Sequence, residues 1–385
     1  METINKSVYY KLKELKDNAG THSPSINTIL ENIPEIDLRI DACYLSNPYA
    51  TDLFISHFDS DLVKSNKLRE VLEFYPSQNN NISYKLGDFL DIDHENIFIG
   101  NGAVEIIQAV IHNFSKRIIV NIPTFSSYYE FAKPDQEVIF YQLDKNDNYR
   151  LDIEDYIQFV KEKKPDTVVI INPNNPDGSY LTSEEMEVLV KELKDVKNLI
   201  IDESFIHFAY EEDSLQMIKA VDFFRENKNV IVIKSMSKDF GIAGIRAGYA
   251  IMPLEKRNYL LENGFLWNSN GLAEYFFQLY VNKNFQLEYD EVRRRYIRDT
   301  QKFYQDLLVL PGIKVYPTKA NFVLIELLNG MSSFEFVSKL LIEYGIYVRT
   351  CDDKIGLEGQ FLRIGSRTFE ENEQIVSSLQ SILTI

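Results

Sequence analysis

Four residues in one short stretch of the chain have side chains that could hold a phosphate beside a reactive amine: Ser235, Ser237, Lys238 and Arg246. Hydroxyl and guanidinium groups bind phosphate oxygens through hydrogen bonds and charge. The amine of Lys238 is a nucleophile that forms Schiff bases with aldehydes. This combination predicts a site for a phosphorylated aldehyde. An isolated Ser-x-Ser-Lys stretch is more often an exposed turn, so the prediction depends on the rest of the chain.

Two further polar motifs stand where apolar strands are predicted to end. Asn175 lies in the turn-forming stretch Asn-Pro-Asn-Asn-Pro-Asp-Gly, directly after the predicted strand 167–171. Asp202 ends the predicted strand 199–202. Taken alone, each motif has a structural explanation as a turn or a cap. Each becomes a candidate functional residue only together with the lysine stretch.

A glycine loop precedes the first regular helix of the chain. The predicted strand 97–99 leads through Gly100 and Gly102 into a predicted helix over 103–114, and free N–H groups at a helix start favour a phosphate. A dinucleotide-binding fingerprint would require glycine three positions after Gly102, where Glu105 stands. The loop therefore argues against a Rossmann oxidoreductase.

The elements that position these residues alternate between strand and helix. Short apolar runs, separated by amphipathic segments, predict a mostly parallel sheet covered by helices on both faces, which is an α/β architecture. The predicted strands are 97–99, 117–121, 167–171, 199–202, 230–233 and 248–251, and the clearest helix is 183–197.

The pattern changes after Trp267. A long charged helical run is followed by predicted strands at 313–316, 321–325, 346–349 and 361–364, with a helix at 333–344. These predict a smaller α+β domain. We divide the chain into an N-terminal arm, 1–48, that joins the small domain, a large α/β domain, 49–270, and the small domain, 271–385.

The composition of the chain argues against several classes of partner. The chain has 385 residues, is 45% hydrophobic and carries a formal net charge of −17, which argues against a nucleic-acid or anionic-membrane partner. Its two cysteines, with no signal-like or membrane-spanning run, predict a cytoplasmic protein without disulfides or a metal site.

The set of motifs, in this order, resembles the aspartate aminotransferase-like, fold type I enzymes that depend on pyridoxal 5′-phosphate (PLP). The resemblance implies a large domain whose mostly parallel sheet has seven strands. Asn175 lies 63 residues before Lys238, as expected of that family's Asn-Pro-x-Gly loop. The resemblance implies that Lys238 carries PLP, that Asp202 pairs with its ring nitrogen and that Asn175 donates to its phenolic oxygen. In the loop Pro-Thr-Phe, Phe125 would stack on the ring.

The resemblance also implies how the phosphate of PLP is held. The backbone of Gly102, Ala103 and Val104 would donate to it, together with the side chains of the lysine stretch. Tyr49, in Asn-Pro-Tyr, resembles a tyrosine that crosses from the partner subunit to this phosphate. The active unit would therefore be a homodimer with active sites at the interface.

Within the family, the chain resembles histidinol-phosphate aminotransferases and threonine-phosphate decarboxylases. Arg349 and Arg363 match arginines that bind substrate anions, and His22 matches a phosphate-binding histidine. Phe205 stands where the aminotransferases have tyrosine, which favours the decarboxylases. Against this, the segment around Tyr49 is closer to the aminotransferases, with Ala-Thr-Asp where glycine is usual.

The prediction is therefore decarboxylation of a small O-phospho-L-amino acid, phosphoserine or phosphothreonine. The alternative is transamination of a small phosphorylated keto compound. Both reactions pass through the same adduct, in which the amino group of the substrate is joined to PLP, so the sequence leaves the choice open, along with the roles of Arg367 and Trp267.

Overall fold

The computed structural model of the protein describes residues 2–20, 22–218 and 221–384. We number its strands in chain order: β1 Ile40–Asp41, β2 Ile97–Asn101, β3 Arg117–Ile122, β4 Glu137–Gln142, β5 Thr167–Ile171, β6 Asn198–Asp202, β7 Val230–Ser235, β8 Ala247–Ile251, β9 Ile313–Val315, β10 Phe322–Leu327, β11 Ile346–Tyr347, β12 Arg349–Thr350 and β13 Phe361–Gly365.

The helices are numbered in the same way: α1 Glu2–Ala19, α2 Ile26–Asn32, α3 Pro48–Phe58, α4 Leu68–Glu73, α5 Asn79–Leu90, α6 Gly102–Phe114, α7 Ser127–Glu130, α8 Ile153–Lys163, α9 Ser183–Glu192, α10 Val221–Glu226, α11 Leu254–Glu262, α12 Gly271–Tyr280, α13 Lys283–Leu308, α14 Ser333–Tyr344 and α15 Phe369–Leu383.

The large sheet has seven strands in the order β2-β8-β7-β6-β5-β3-β4. Neighbours are parallel except around β8, which pairs antiparallel with both β2 and β7. Both faces are covered: Leu199 and Ile201 belong to the core on one side, whereas Ile200 belongs to the core on the other. Burial on both faces requires unbroken apolar strands, as the sequence has. The predicted α/β fold with a mostly parallel sheet is confirmed.

Strand β4 and helix α9 differ from the sequence prediction. Strand β4 was not predicted, although its residues 138–141 form a short apolar run, Val-Ile-Phe-Tyr; it is an edge strand, and its side chains are all at least partly exposed. Helix α9 ends at Glu192 rather than continuing to residue 197. The side-chain amide of Asn229 donates to the carbonyls of Leu193 and Val196, which holds the chain in a turn there.

A smaller sheet, in the order β12-β13-β10-β9, forms near the carboxyl end of the chain. The predicted strand 346–349 is in fact two short strands: β11 pairs parallel with β1 of the N-terminal arm, while β12 pairs with β13. Helix α1 also packs against α14. The arm and the small sheet thus share one core, in which Leu12 and Ile29 pack with the side chains of α14 and α15.

The packing of helix α12 bears on the proposed domain boundary at residue 270. Helix α12 lies just after that boundary but packs against α4 and α5, and its Phe276 is fully buried in the core of the large sheet. Helix α13 then connects both cores, since it buries Phe285 in the first and Phe303 in the second. The division remains a proposal, and this packing favours a later boundary. Among the described residues no helix has the length and apolarity needed to cross a membrane.

Candidate active site

The loops after β5, β6 and β7 open into a cavity of about 370 Å³ between the large sheet and the small one. Twelve of the residues predicted from sequence line it: His22, Ala103, Val104, Phe125, Asn175, Asp202, Ser235, Ser237, Lys238, Arg246, Arg349 and Arg363. Gly102 stands at its edge, against Arg246. The candidate residues, which span more than three hundred positions of sequence, are brought into one place by the fold.

Lys238 lies three residues beyond the end of β7, where the backbone is tied to the arm by a hydrogen bond from the N–H of Asn47 to the carbonyl of Lys238 (3.1 Å). Burial lowers the pKa of Lys238 to about 8, and the positive charges of Arg363 and Arg246 act in the same direction. A lysine with so low a pKa is partly uncharged near neutral pH. Its amine is therefore a competent nucleophile toward an aldehyde.

One end of the cavity has the features of a phosphate site. Helix α6, which is 13 residues long, begins at Gly102 and points its first N–H groups there. Gly102 has φ +76°, and a Cβ at this position would lie 2.5 Å from the guanidinium of Arg246. Arg246 itself adopts the left-handed region at φ +62°, a conformation that a non-glycine residue occupies at a cost. The buried hydroxyl of Ser237 has no hydrogen-bond partner among the described residues.

Asp202 is buried at the end of β6. One carboxylate oxygen accepts a hydrogen bond from the hydroxyl of Tyr128 (2.7 Å), and the other accepts one from the N–H of Ser204 (2.8 Å). Burial raises the pKa of Asp202, and these two hydrogen bonds partly oppose the rise. A cation placed beside this carboxylate would therefore stabilise its charged form.

These features fit PLP. Lys238 would hold its aldehyde, while Asp202 would face its ring nitrogen and Phe125, which is partly buried in the cavity wall, would contact its ring. Asn175 Oδ1 already accepts a hydrogen bond from Arg363 (2.8 Å), so its amide N–H₂ is the group left to donate to the phenolic oxygen. The unpartnered Ser237 hydroxyl and the N–H groups of α6 would bind the phosphate.

The opposite end of the cavity is rich in positive charge. Arg349 on β12 and Arg363 on β13 are paired across the two strands, and both are buried. Arg349 donates to the hydroxyl of Ser23 (2.7 Å) and to the carboxylate of Asp353 (2.7 Å). Arg363 donates to the carbonyl of Cys43 (2.9 Å), and burial lowers its pKa to about 10, with the charge of Arg349 adding to the effect. Like charges opposite each other on neighbouring strands repel, so this end favours a bound anion.

Two of the residues predicted from the sequence lie at the edge of the cavity or outside it. His22 lines the mouth of the cavity and is largely exposed. Tyr49 does not line the cavity at all: its hydroxyl donates to Asp299 (2.7 Å) and accepts from the N–H of Phe369 (3.0 Å), and the guanidinium of Arg295 covers its ring. The crossing of Tyr49 to a partner subunit stays a prediction, and its hydroxyl would first have to give up both hydrogen bonds.

Two residues of the site were missed in the sequence. Tyr128, on helix α7, donates a hydrogen bond to Asp202; in the sequence it stands beside a second tyrosine, Tyr129, and no local pattern distinguishes the two. Lys354 lines the cavity and is buried, but in the sequence it follows two aspartates and has the composition of an exposed charged loop. The only signal for Lys354 was its position between the Arg349 and Arg363 segments.

The chain as a whole matches a known protein family. The model of the family described as aminotransferase class I and II matches residues 61–379. The chain belongs to this family. It is therefore a PLP-dependent enzyme, as the site geometry also indicates.

Individual relatives cover almost the whole chain. An L-serine phosphate decarboxylase of Campylobacter jejuni is 60% identical over 380 residues, which is 98% of this chain and 97% of that protein. The solved structure of a decarboxylase from Sulfurospirillum multivorans is 47% identical, with a TM-score of 0.95 over 99% of this chain and 98% of that one. A histidinol-phosphate aminotransferase from Clostridium acetobutylicum is 28% identical, with a TM-score of 0.77 over 90% of this chain and 99% of that one.

Proposed function

We propose that this protein is a PLP-dependent decarboxylase that converts O-phospho-L-serine into carbon dioxide and O-phosphoethanolamine. The observation that carries the proposal is the buried pair Arg349 and Arg363, which face one cavity from adjacent strands. Among the described residues Arg349 has one carboxylate partner, Asp353, and Arg363 has none, so the two buried guanidinium groups leave positive charge that a bound anion would balance. A phosphorylated amino acid brings a phosphate and a carboxylate, whereas an ordinary amino acid with an uncharged side chain brings only the carboxylate.

The relatives support the reaction type and the substrate. The protein named L-serine phosphate decarboxylase shares 60% of its residues with this chain, against 28% for the histidinol-phosphate aminotransferase. Phe205 supports the same choice. Its ring lines the cavity and packs edge-on against Phe322, so no hydroxyl stands there to bond the phenolic oxygen, as the tyrosine of the aminotransferases would.

The chain's own residues supply what decarboxylation requires. When bound, PLP supplies a ring that accepts the electron pair left at the α-carbon when a bond there breaks. The carboxylate of Asp202 favours the protonated ring nitrogen. Once carbon dioxide has left, the α-carbon needs a proton, and Nζ of Lys238, with its lowered pKa, can deliver one near neutral pH.

The decisive experiment incubates the PLP-loaded enzyme with O-phospho-L-serine and measures carbon dioxide and O-phosphoethanolamine. We expect the two products in equal amounts, with a lower kcat/KM for O-phospho-L-threonine and a far lower one for L-serine. Formation of a phosphorylated keto acid, together with the amine form of the cofactor, would instead support the transamination alternative. Equal turnover of L-serine and its phosphate ester would remove the argument from the two arginines.

The active unit that we propose is a homodimer. Four large hydrophobic side chains on or near α4 are strongly exposed in the single chain: Leu72, Phe74, Tyr75 and Trp267. Tyr75, which is 88% exposed, stacks on Trp267 with ring centroids 6.0 Å apart. Exposed clusters of this kind are typical of interaction surfaces. A second copy of the chain is the occupant that the family resemblance implies.

A further inference from the structure

Lys354 is a buried cation in the wall of the cavity. None of the functions proposed above involves it. It follows β12 in a turn closed by a hydrogen bond from its own N–H to the carbonyl of Cys351 (3.0 Å). The turn directs its side chain inward, where it lines the cavity and is 6% exposed. A lysine this deeply buried normally has an acceptor for its ammonium group.

No such acceptor is present among the described residues. The nearest anion is the carboxylate of Asp353, whose Oδ2 lies 3.7 Å from Nζ, which is too far for a hydrogen bond. That same oxygen already accepts from Arg349 at 2.7 Å. The ammonium of Lys354 is therefore buried with its donors available to the cavity.

At the end of the cavity that contains Lys354, the cations outnumber the carboxylates among the described residues. Asp353 is the single carboxylate that Lys16, Arg349 and Lys354 contact as ion pairs in the described part of the chain, at 3.6, 2.7 and 3.7 Å. Burial lowers the pKa of Lys354 to about 8, and repulsion from Arg349 contributes next. A bound dianion would lower the energetic cost of burying the ammonium and would offset this repulsion.

The positions of the cations indicate which anion it would be. Arg363 is bonded to Asn175 and is the charge that acts most strongly on Lys238, so it lies toward the reacting amine. Arg349 and Lys354 both contact Oδ2 of Asp353, at 2.7 and 3.7 Å, and Arg349 also donates to Ser23 of the N-terminal arm, so these two cations form the outer group. In a phosphoamino acid the phosphate is farther from the amino group than the carboxylate is. The outer group therefore faces the phosphate.

We propose that Lys354, together with Arg349, binds the phosphate of the substrate and selects a dianion over a monoanion at that position. This inference rests on the proposed function and adds a residue to it. A phosphate ester carries a charge of about −1.5 to −2 at neutral pH, and three donors on a lysine match its oxygens. A sulfate ester of the same shape carries only one negative charge.

The first test compares Lys354→Met, which keeps the volume and removes the charge, with Lys354→Arg, which keeps the charge. For O-phospho-L-serine we expect Lys354→Met to lower kcat/KM by about 20-fold or more, mainly through a higher KM. Lys354→Arg should retain most of the activity. Lys194→Met, an exposed lysine beyond α9, is the matched control and should match the wild type. A loss in kcat with KM unchanged would overturn the assignment.

The second test does not depend on turnover. Binding of inorganic phosphate and of O-sulfo-L-serine to the PLP-loaded protein is measured by calorimetry. We expect Lys354→Met to weaken phosphate at least about tenfold and the monoanionic sulfate ester much less. Equal phosphate affinity in wild type and Lys354→Met would overturn the proposal. If phosphate binding responds as expected but the wild type forms no carbon dioxide, the decarboxylase assignment fails while the role of Lys354 stands.

Discussion

At the scale of single residues, the amine of Lys238 is held where its protonated form is disfavoured. Its pKa is lowered from 10.5 to about 8, chiefly by burial. We therefore expect the cofactor-free protein to take up PLP faster as the pH rises, with the half-maximal rate near pH 8. Stopped-flow absorbance measures this uptake. The unfolded chain keeps the proton up to higher pH, so this lysine makes the folded cofactor-free protein more stable as the pH rises from about 8 toward 10.5.

Two controls accompany this prediction. Lys238→Ala should lose both the visible absorbance of the bound cofactor and turnover, while keeping its circular dichroism. A wild-type uptake rate that continues to climb toward pH 10 would mean that Lys238 titrates like an ordinary exposed lysine. The prediction that burial lowers the pKa of Lys238 would then be wrong, whereas the prediction that Lys238 holds PLP would still stand.

Asp202 depends on Tyr128, which donates to it at 2.7 Å from a fully buried position. A hydrogen bond to a buried charged group is worth about 1.5 to 3 kcal/mol, so we expect Tyr128→Phe to lower kcat by about tenfold or more. Asp202→Asn removes the charge itself, and its loss should be larger, at least about 100-fold. Steady-state kinetics measure both. Tyr259→Phe, on the exposed face of α11, serves as the control, and equal rates for wild type and Asp202→Asn would rule out a role at the ring nitrogen.

At the scale of elements, β12 and β13 bring Arg349 and Arg363 opposite each other. Truncating one partner of a desolvated charge pair costs about 2 to 5 kcal/mol. We expect Arg349→Ala and Arg363→Ala each to lower kcat/KM for O-phospho-L-serine by about 30-fold or more. Arg39→Ala, whose exposed side chain precedes β1 and pairs with Asp37, is the control. A loss of less than threefold in either variant would show that its guanidinium does not bind the substrate.

The sequence predicted the elements whose burial is uniform and missed those whose burial is partial. The strands at the centre of the large sheet were found because apolar side chains cover both faces. Edge strand β4 has a short apolar run, but its side chains are all at least partly exposed. The strand predicted over 346–349 divides at Val348 because its two halves pair in different sheets. Pairing of that kind depends on contacts more than 300 residues apart, which local patterns do not contain.

The same distinction applies to the site. Lys238, Asp202 and Asn175 lie in local motifs at strand ends, so the sequence could assign them. Tyr128 and Lys354 act through contacts across the fold, and nothing in their own segments separates them from ordinary core or surface residues. The sequence predicted Tyr49 as a ligand of the cofactor phosphate, but within its own chain it bonds to Asp299 on α13.

At the scale of the whole molecule, the proposal of a homodimer depends on the exposed aromatic pair Tyr75 and Trp267 and on the neighbouring side chains of α4. Such a surface would be covered if two copies met there. We expect the wild-type protein to sediment at twice its chain mass of 44.9 kDa. Replacing Trp267 by Asp would place a charge in the proposed interface and should shift the species toward the monomer at low concentration.

The control is Tyr10→Asp, which adds the same charge to another strongly exposed aromatic residue, on the N-terminal helix. It should leave the sedimentation unchanged. If activity falls together with dimerisation in Trp267→Asp, the partner subunit completes the site, as the resemblance of Tyr49 implies. Wild-type protein that sediments as a monodisperse monomer with full activity would contradict the dimer. It would also leave the hydrogen bonds of Tyr49 to Asp299 and Phe369 as that residue's only role in the described chain.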